Sequence, residues 1–308
     1  MESVIRLDHV TKRFGDFVAV NDLSLAVPRG CIYGFLGQNG AGKTTTLRMI
    51  TGIFMPDSGT VTVLGQPNAE SIKERLGYLP EEKGLYKKMK VGEIVTYFGR
   101  LKGLDKKTAR TRAHQLLTRY GLGDRINAKC ETLSKGMGQK VQVIGTLVHE
   151  PELIVLDEPF SGLDPVNVDL LRDLIITLKR EGKTVLFSTH VMEQAEQICD
   201  HIIMIHRGTK RLDGTLSQVR SAGERGIRLD YDGDGSILAG LRGVRRVNDA
   251  NKSAEIFVNA GVDPQDILSQ LVGKLVIRRF DLSEPSLHEV FVRTVSEAEA
   301  EAKAREAA

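Results

Sequence analysis

The sequence predicts an α/β protein: a mostly parallel sheet with a helical lobe inserted into it, then a smaller α+β unit. Three observations carry this. Strand-sized apolar runs alternate with helical patterns over residues 1–218. Gly37-Gln38-Asn39-Gly40-Ala41-Gly42-Lys43-Thr44 lies between one such run and a helix. Leu153-Ile154-Val155-Leu156, apolar on both faces as a covered parallel strand should be, ends on two carboxylates, Asp157 and Glu158.

Taken in order, Val4 to Leu7 and Leu23 to Val27 read as strands, and Cys31 to Leu36 as a buried one. A helix follows from Thr45 to Ile50, a turn at Pro56 to Gly59 and a strand at Thr60 to Leu64. Residues 86–149 carry helical periodicity with basic residues on the outer face, and form the lobe. A helix around Leu170 to Lys179 and strands at Thr184 to Phe187 and Ile202 to Ile205 complete the alternation, with a hairpin turn at Arg207 to Lys210. The accessory unit, 225–295, reads as a strand from Ile227, a short helix at Ile237 to Leu241, strands at Val244 to Val247 and Ala254 to Val258, a helix at Asp263 to Leu271 and a strand at Leu275 to Phe280. This βαββαβ order suits a ferredoxin-like arrangement. A helix from Pro285 to Val295 follows, and 296–308, almost all Ala, Glu, Lys and Arg, read as a solvated tail.

Bulk properties exclude several classes. Hydrophobic residues make up 41% and charged residues 27%, as in soluble globular chains. A net charge of +3 gives no argument for nucleic acid. Cys31, Cys130 and Cys199 are far apart without metal-ligand spacing, so neither a disulfide framework nor a zinc site is expected, and a reducing cytosol fits. The N-terminus lacks a signal-peptide pattern, and no apolar run approaches the roughly 18–20 residues a bilayer requires, so the chain is expected not to cross a membrane.

The chemistry follows from residue types. Gly37, Gln38, Asn39, Gly40, Ala41, Gly42, Lys43, Thr44 and Thr45 match G-x-x-x-x-G-K-[ST] and its flank, in which backbone N–H groups and a helix N-terminus surround phosphates. Asp157 suits Mg²⁺, which takes oxygen ligands and keeps much of its water. Glu158 suits the orientation and deprotonation of an attacking water. Ser134, before Lys135-Gly136-Met137-Gly138-Gln139-Lys140, is a good helix N-cap, and Gly136 permits close approach. Gly138 and Gly145 each weaken the helix that follows by roughly 1 kcal/mol relative to Ala. The sequence offers no reason for either.

With these motifs in this order, residues 4–216 resemble the ATP-binding subunit of an ABC transporter, a P-loop NTPase. The signature departs from the family's usual Leu-Ser-Gly-Gly-Gln at Lys135 and Met137, while Ser134 and Gly136, which contact the γ-phosphate in the family, are retained. Lys135 reads equally as added charge or as a solvated side chain. The resemblance implies ATP and Mg²⁺, with Thr44, Asp157 and Glu81 toward the metal and Glu158 and His190 as the catalytic pair. It implies Phe14 as the aromatic that stacks on adenine and Ser161 to Asp164 as a loop at a dimer interface. Glu81 stands where the family has a Gln, so a metal contact is retained and an amide donor is lost.

One set of motifs in the chain implies a homodimer, each ATP lying between Lys43 of one copy and Ser134 of the other. It also implies a separate integral membrane subunit, placing the chain on the cytoplasmic face of the membrane. The segment Glu82 to Leu104, with Leu85, Tyr86, Tyr97, Phe98 and Leu101, is the expected docking surface. Glu284 to Val292, together with Leu79-Pro80-Glu81-Glu82, resembles ATPases of the ABC-2 export type. The other reading is a regulatory ATPase of the same family with no transport partner. Neither a coiled-coil insertion nor a second motif set is visible, which speaks against DNA-acting and translation-factor relatives.

Overall fold

The computed structural model describes residues 3–67, 70–82, 84–221, 226–259, 261–283 and 285–306. Of the expectations above, Met1 and Glu2, Lys83 in the expected docking segment, residues 222–225 around the start of the accessory unit, Ala260 within it, Glu284 and the last two residues of the tail lie outside them. The chain divides into two compact units, Met1–Thr215 and Leu216–Ala308, a few residues before the boundary read from the sequence.

In the first unit β1 (Ser3–Phe14), β2 (Phe17–Pro28) and β4 (Ser58–Val63) form an antiparallel sheet of order β2-β1-β4. The main sheet contains β3 (Ile32–Leu36), β5 (Leu76–Leu79), β6 (Leu153–Leu156), β7 (Thr184–Thr189), β8 (His201–His206) and β9 (Thr209–Thr215). Its order is β5-β6-β7-β3-β8-β9, parallel except for β9, which pairs antiparallel with β8. Every residue of β3, β6 and β7 is buried, which is why these strands read as continuous apolar runs. Helix α1 (Lys43–Ile50) follows β3 and contributes Leu47, Met49 and Ile50 to the core shared by the two sheets.

The lobe lies between β5 and β6 and contains α2 (Val91–Leu101), α3 (Lys106–Arg119) and α4 (Lys135–Leu147). Asp105 caps α3 by accepting from the backbone N–H groups of Lys107 and Thr108, and Ser134 caps α4 by accepting from Met137. Val91, Ile94, Val95, Leu117, Val141 and Ile144 meet in its core. Gly145 now has a reason: a Cβ there would stand 2.5 Å from the Phe98 ring, so the glycine lets α2 and α4 approach. Gly138 would meet only Leu85, at 3.8 Å, and nothing in the structure requires glycine there. The expected docking residues divide. Leu85 and Phe98 pack against the lobe core, whereas Tyr86, Tyr97 and Leu101 are exposed.

Beyond β6, α5 (Pro165–Arg180) starts five residues earlier than the sequence reading, because Asp164 caps it and Pro165 fills its first turn. Helix α6 (Met192–Ile198) links β7 to β8.

The second unit runs α7 (Leu216–Ser221), β10 (Gly226–Asp232), a 3-10 helix (Gly235–Gly240), β11 (Val244–Asp249), β12 (Ser253–Val258), α8 (Pro264–Leu271), β13 (Val276–Ser283) and α9 (Leu287–Glu306). The antiparallel order β11-β12-β10-β13 is the ferredoxin-like one, with the first helix shortened to a 3-10 turn. The end of the last helix needs correcting: α9 does not stop at Val295 but continues through Ser296 to Glu306. Ala, Glu, Lys and Arg are strong helix formers, so the loss of an apolar stripe does not end the helix.

Lobe and sheet are tied together at β5. The Leu76 carbonyl lies 3.1 Å from His149 Nε2 and accepts from Lys102 Nζ at 3.0 Å. Burial, with Lys102, Arg112 and Lys183 adding like charge, pushes the His149 pKa down from 6.5 to about 4. Between those values the unfolded chain binds a proton that the folded chain refuses. Stability is therefore present above pH 6.5 and is lost as pH falls toward 4, at up to roughly 1.4 kcal/mol per pH unit. The urea midpoint should fall more steeply over this range in the wild type than in His149→Gln; equal slopes would remove His149 as the cause.

Candidate active site

The carboxyl ends of β3, β6 and β7 lie side by side because the strands are parallel and in register, Leu36 against Thr189 and Leu156 against Phe187. The crevice outside such strand ends is where α/β sheets bind ligands. Here the sequence delivers Gly37 to Thr45 from β3, Asp157 and Glu158 from β6 and His190 from β7.

The loop after β3 is shaped for an anion. Gly42 sits at φ +101°, and a Cβ on it would stand 2.4 Å from the Ala19 carbonyl oxygen. Gly40, at φ +77°, has open space where its Cβ would be. Lys43 is buried, and its ammonium donates to the Gly37 and Gln38 carbonyls at 2.8 and 3.1 Å. A cavity of about 420 Å³ is lined by Asn39, Gly40, Gly42, Lys43, Thr44 and Thr45, with Glu81 and Glu158 on its walls. The α1 N-terminus adds partial positive charge, and the loop fits a phosphate chain.

The carboxylate pair is buried with it. Asp157 Oδ1 accepts from Ser188 Oγ at 2.6 Å and from Thr44 Oγ1 at 3.2 Å. Asp157 Oδ2 is buried with no hydrogen-bond partner among the described residues. Burial raises the Asp157 pKa. A shielded oxygen-only set with one orphaned carboxylate oxygen fits a hard divalent cation such as Mg²⁺.

Glu158 stands at φ +45°, a left-handed conformation that costs a non-glycine residue roughly 1–3 kcal/mol. Its backbone N–H donates to Ser188 Oγ at 2.8 Å, which helps hold the turn. Its Oε1 lies 3.2 Å from Lys43 Nζ, and its two oxygens lie 3.1 and 3.0 Å from His190 Nδ1. An ionised carboxylate only accepts, so against it Nδ1 carries the proton. The structure thus brings Lys43, Thr44, Asp157, Glu158 and His190 together.

Other residues stand differently. Phe14 is not among the cavity residues: its ring meets Phe54 edge-on at 5.5 Å, with Lys12 Nζ 5.7 Å from it. Phe17, paired with Phe14 across the β1–β2 turn, lines the cavity instead. Ser134 is exposed, and neither it nor Gly136 lines the cavity. Gly136 is buried against α5, where a Cβ would meet the Asn167 side chain at 2.4 Å. Lys135 lies over the expected interface loop: a Cβ on Gly162 would stand 2.1 Å from its Nζ. Gln139 Nε2 donates to the Pro159 carbonyl at 2.9 Å, tying the signature helix to the loop after Glu158.

Ser188 escaped the sequence reading as a site residue, although a hydroxyl directly after the apolar run Val185-Leu186-Phe187 and two residues before His190 was the available signal. Ser188→Ala would leave Asp157 with one fewer donor and the Glu158 N–H without an acceptor, at a cost of about 1–3 kcal/mol. Thermal unfolding should register that loss and ATP turnover should fall at least tenfold; wild-type turnover would show that Ser188 does not position the pair.

The comparisons agree with this geometry. The ABC transporter family matches residues 20–161, and the C-terminal domain of DrrA1-3-like ATP-binding proteins matches 214–295. The chain is 42% identical over 293 residues to the uncharacterized ABC transporter ATP-binding protein YhaQ of Bacillus subtilis (strain 168), covering 95% of this chain and 98% of that one. It is 30% identical to the linearmycin resistance ATP-binding protein LnrL of the same organism, covering 94% and 97%. A solved ATP-binding subunit of an ABC transporter superposes with a TM-score of 0.65 at 30% identity, covering 71% of this chain and 93% of that one. The chain belongs to the ATP-binding proteins of ABC transporters, the ATP-hydrolysing subunits that power a separate membrane partner.

Proposed function

We propose that two copies of this chain close over two Mg-ATP molecules, each copy supplying the phosphate loop of one site and the signature of the other, and that this cycle drives export through the membrane subunit. The observation that carries the reading is the buried group of Lys43, Asp157, Glu158 and His190 at one end of the sheet. Ser134, capping α4 outside the cavity, supports completion of the site by a second chain. Export is supported by the resistance function in LnrL's name. With that partner, the chain lies on the cytoplasmic face of the membrane.

Lys43 gives two hydrogen bonds to loop carbonyls and pairs with Glu158. A triphosphate in the loop competes for the same ammonium and frees the Glu158 carboxylate to accept a proton from the attacking water. His190 Nδ1 keeps that carboxylate oriented, and its other ring nitrogen is left for the γ-phosphate side. Thr44 Oγ1 and Asp157 Oδ2 would hold the metal, with Glu81 at the cavity wall reaching it through water. Bound Mg²⁺ supplies positive charge against the triphosphate oxygens. Phe17 is the better-placed aromatic for adenine, with Phe14 behind it on the same hairpin.

Glu158→Gln should bind ATP, lower turnover by roughly 10²–10⁴-fold, and accumulate as a dimer by light scattering in Mg-ATP; a monomer at saturating Mg-ATP would contradict the two-copy site. Glu81→Gln should bind ATP within a few-fold of wild type. Complete loss of binding would overturn a mainly electrostatic role for Glu81.

A further inference from the structure

The accessory sheet has two faces. One carries Ile227, Leu229, Tyr231, Ala254 and Ile256 into the core of that unit. By alternation the other face should be polar, and most of its charges are answered within the sheet. Arg228 lies 4.0 Å from Glu255, Ser253 Oγ donates to Asp230 at 2.7 Å, and Arg279 pairs with Asp281.

Phe257 breaks the pattern. It alternates with Ile256 onto the polar face, yet it is only 9% exposed. Its cross-strand neighbours are Gly226 on β10 and Arg246 on β11. Gly226 has no side chain to compete for the space, and a Cβ there would stand 3.7 Å from the ring. Arg246 lays its guanidinium over the ring, 4.2 Å from the centroid.

The first turns of α9 stand across from this stack. A cavity of about 510 Å³ lies between them, with Arg246, Asn248 and Phe257 on the sheet side and His288, Val290 and Val292 on the helix side. The other charged residues of the lining are engaged. Glu289 accepts from the backbone N–H and the hydroxyl of Ser286 at 2.7 and 3.0 Å, Arg293 lies 3.7 Å from Glu297, and Glu255 faces Arg228. Arg246 is exposed and, among the described residues, has the Phe257 ring against it and no carboxylate. One guanidinium charge in the cavity is left unanswered.

A guanidinium offers two flat faces and an edge of N–H donors. Phe257 covers one face. The other suits a second planar ring, and the edge suits a carboxylate held by two parallel hydrogen bonds. Val290 and Val292 give such a ring apolar cover. The volume is within the range of small-molecule sites, about 300–1,000 Å³. An organic cation would be repelled by Arg246, and a polyphosphate would find a single unpaired guanidinium.

We infer that this cavity binds a planar aromatic carboxylic acid, its carboxylate on the edge of Arg246 and its ring on the open guanidinium face. The site lies wholly within the accessory unit, so it stands or falls apart from the two-copy ATP cycle.

The probe is 2-naphthoate, titrated against the full chain by its fluorescence while saturating Mg-ADP fills the cavity beside Lys43. Two competitors form the other arms: 2-naphthamide keeps the ring without the charge, and octanoate keeps the charge without the ring. One site per chain is expected, with 2-naphthoate bound roughly tenfold or more tighter than either competitor. Arg246→Gln should remove the preference for acid over amide. Arg246→Lys, which keeps the charge without the planar fork, should retain only part of it. Arg228→Gln, on the same sheet face but outside the cavity, should change nothing. Equal binding of acid and amide, equal binding of 2-naphthoate and octanoate, no binding, or an unchanged preference in Arg246→Gln would overturn the assignment. Should Arg246→Gln lose its fold by circular dichroism, Arg246→Lys and the wild-type contrast between acid and amide still decide the case.

Discussion

An ammonium and a carboxylate, Lys43 and Glu158, are buried together 3.2 Å apart where two strands end, and the arrangement around them follows from that contact. Taking both charges out of water costs several kcal/mol each, and their attraction offsets this only when the remaining polar atoms are well satisfied. The surrounding residues meet that requirement. Two loop carbonyls accept from Lys43, and His190 faces both oxygens of Glu158. Ser188 fixes the backbone of Glu158 and one oxygen of Asp157 at once. Such a pair adds little to stability. In the proposed cycle its use is to be parted, a triphosphate competing for the ammonium and leaving the carboxylate free to act.

The parallel sheet makes this possible. Strands β6, β7 and β3 stand side by side in that order, although β3 lies more than a hundred positions before the other two in the chain. Because they run the same way, loop, acids and histidine emerge at one edge. The lobe between β5 and β6 carries the signature helix, held against the loop after Glu158 through Gln139 and against α5 through Gly136 and Asn167. Lys135, which reads in the sequence as a phosphate-directed charge or a solvated side chain, is exposed and lies over Gly162.

Much of this was legible because the chemistry is local. Gly37 to Thr45 need only the strand before and the helix after, and Asp157 and Glu158 need only the buried strand that presents them. Features that depend on distant partners were not legible. Phe17 and Phe14 are both aromatic ends of one hairpin, and only Phe54, some forty residues on, decides which ring remains beside the loop. Gly145 is explained by Phe98 on another helix. The start of α5 could have been read from Asp164-Pro165, a capping pair, and the extension of α9 from its strong helix formers; composition was weighed there instead of propensity.

The account turns on each site being finished by a second chain, and the structure offers a direct handle. Asn39 beside the loop and Ser134 on the signature are both exposed. Replacing both by cysteine in the hydrolysis-blocked Glu158→Gln chain, with Cys31, Cys130 and Cys199 changed to serine, allows a short bis-maleimide to report which chain each one meets. The account predicts a covalent dimer on a denaturing gel that forms with Mg-ATP and not without it. Linkage within one chain, or no dimer while nucleotide is demonstrably bound, would contradict it.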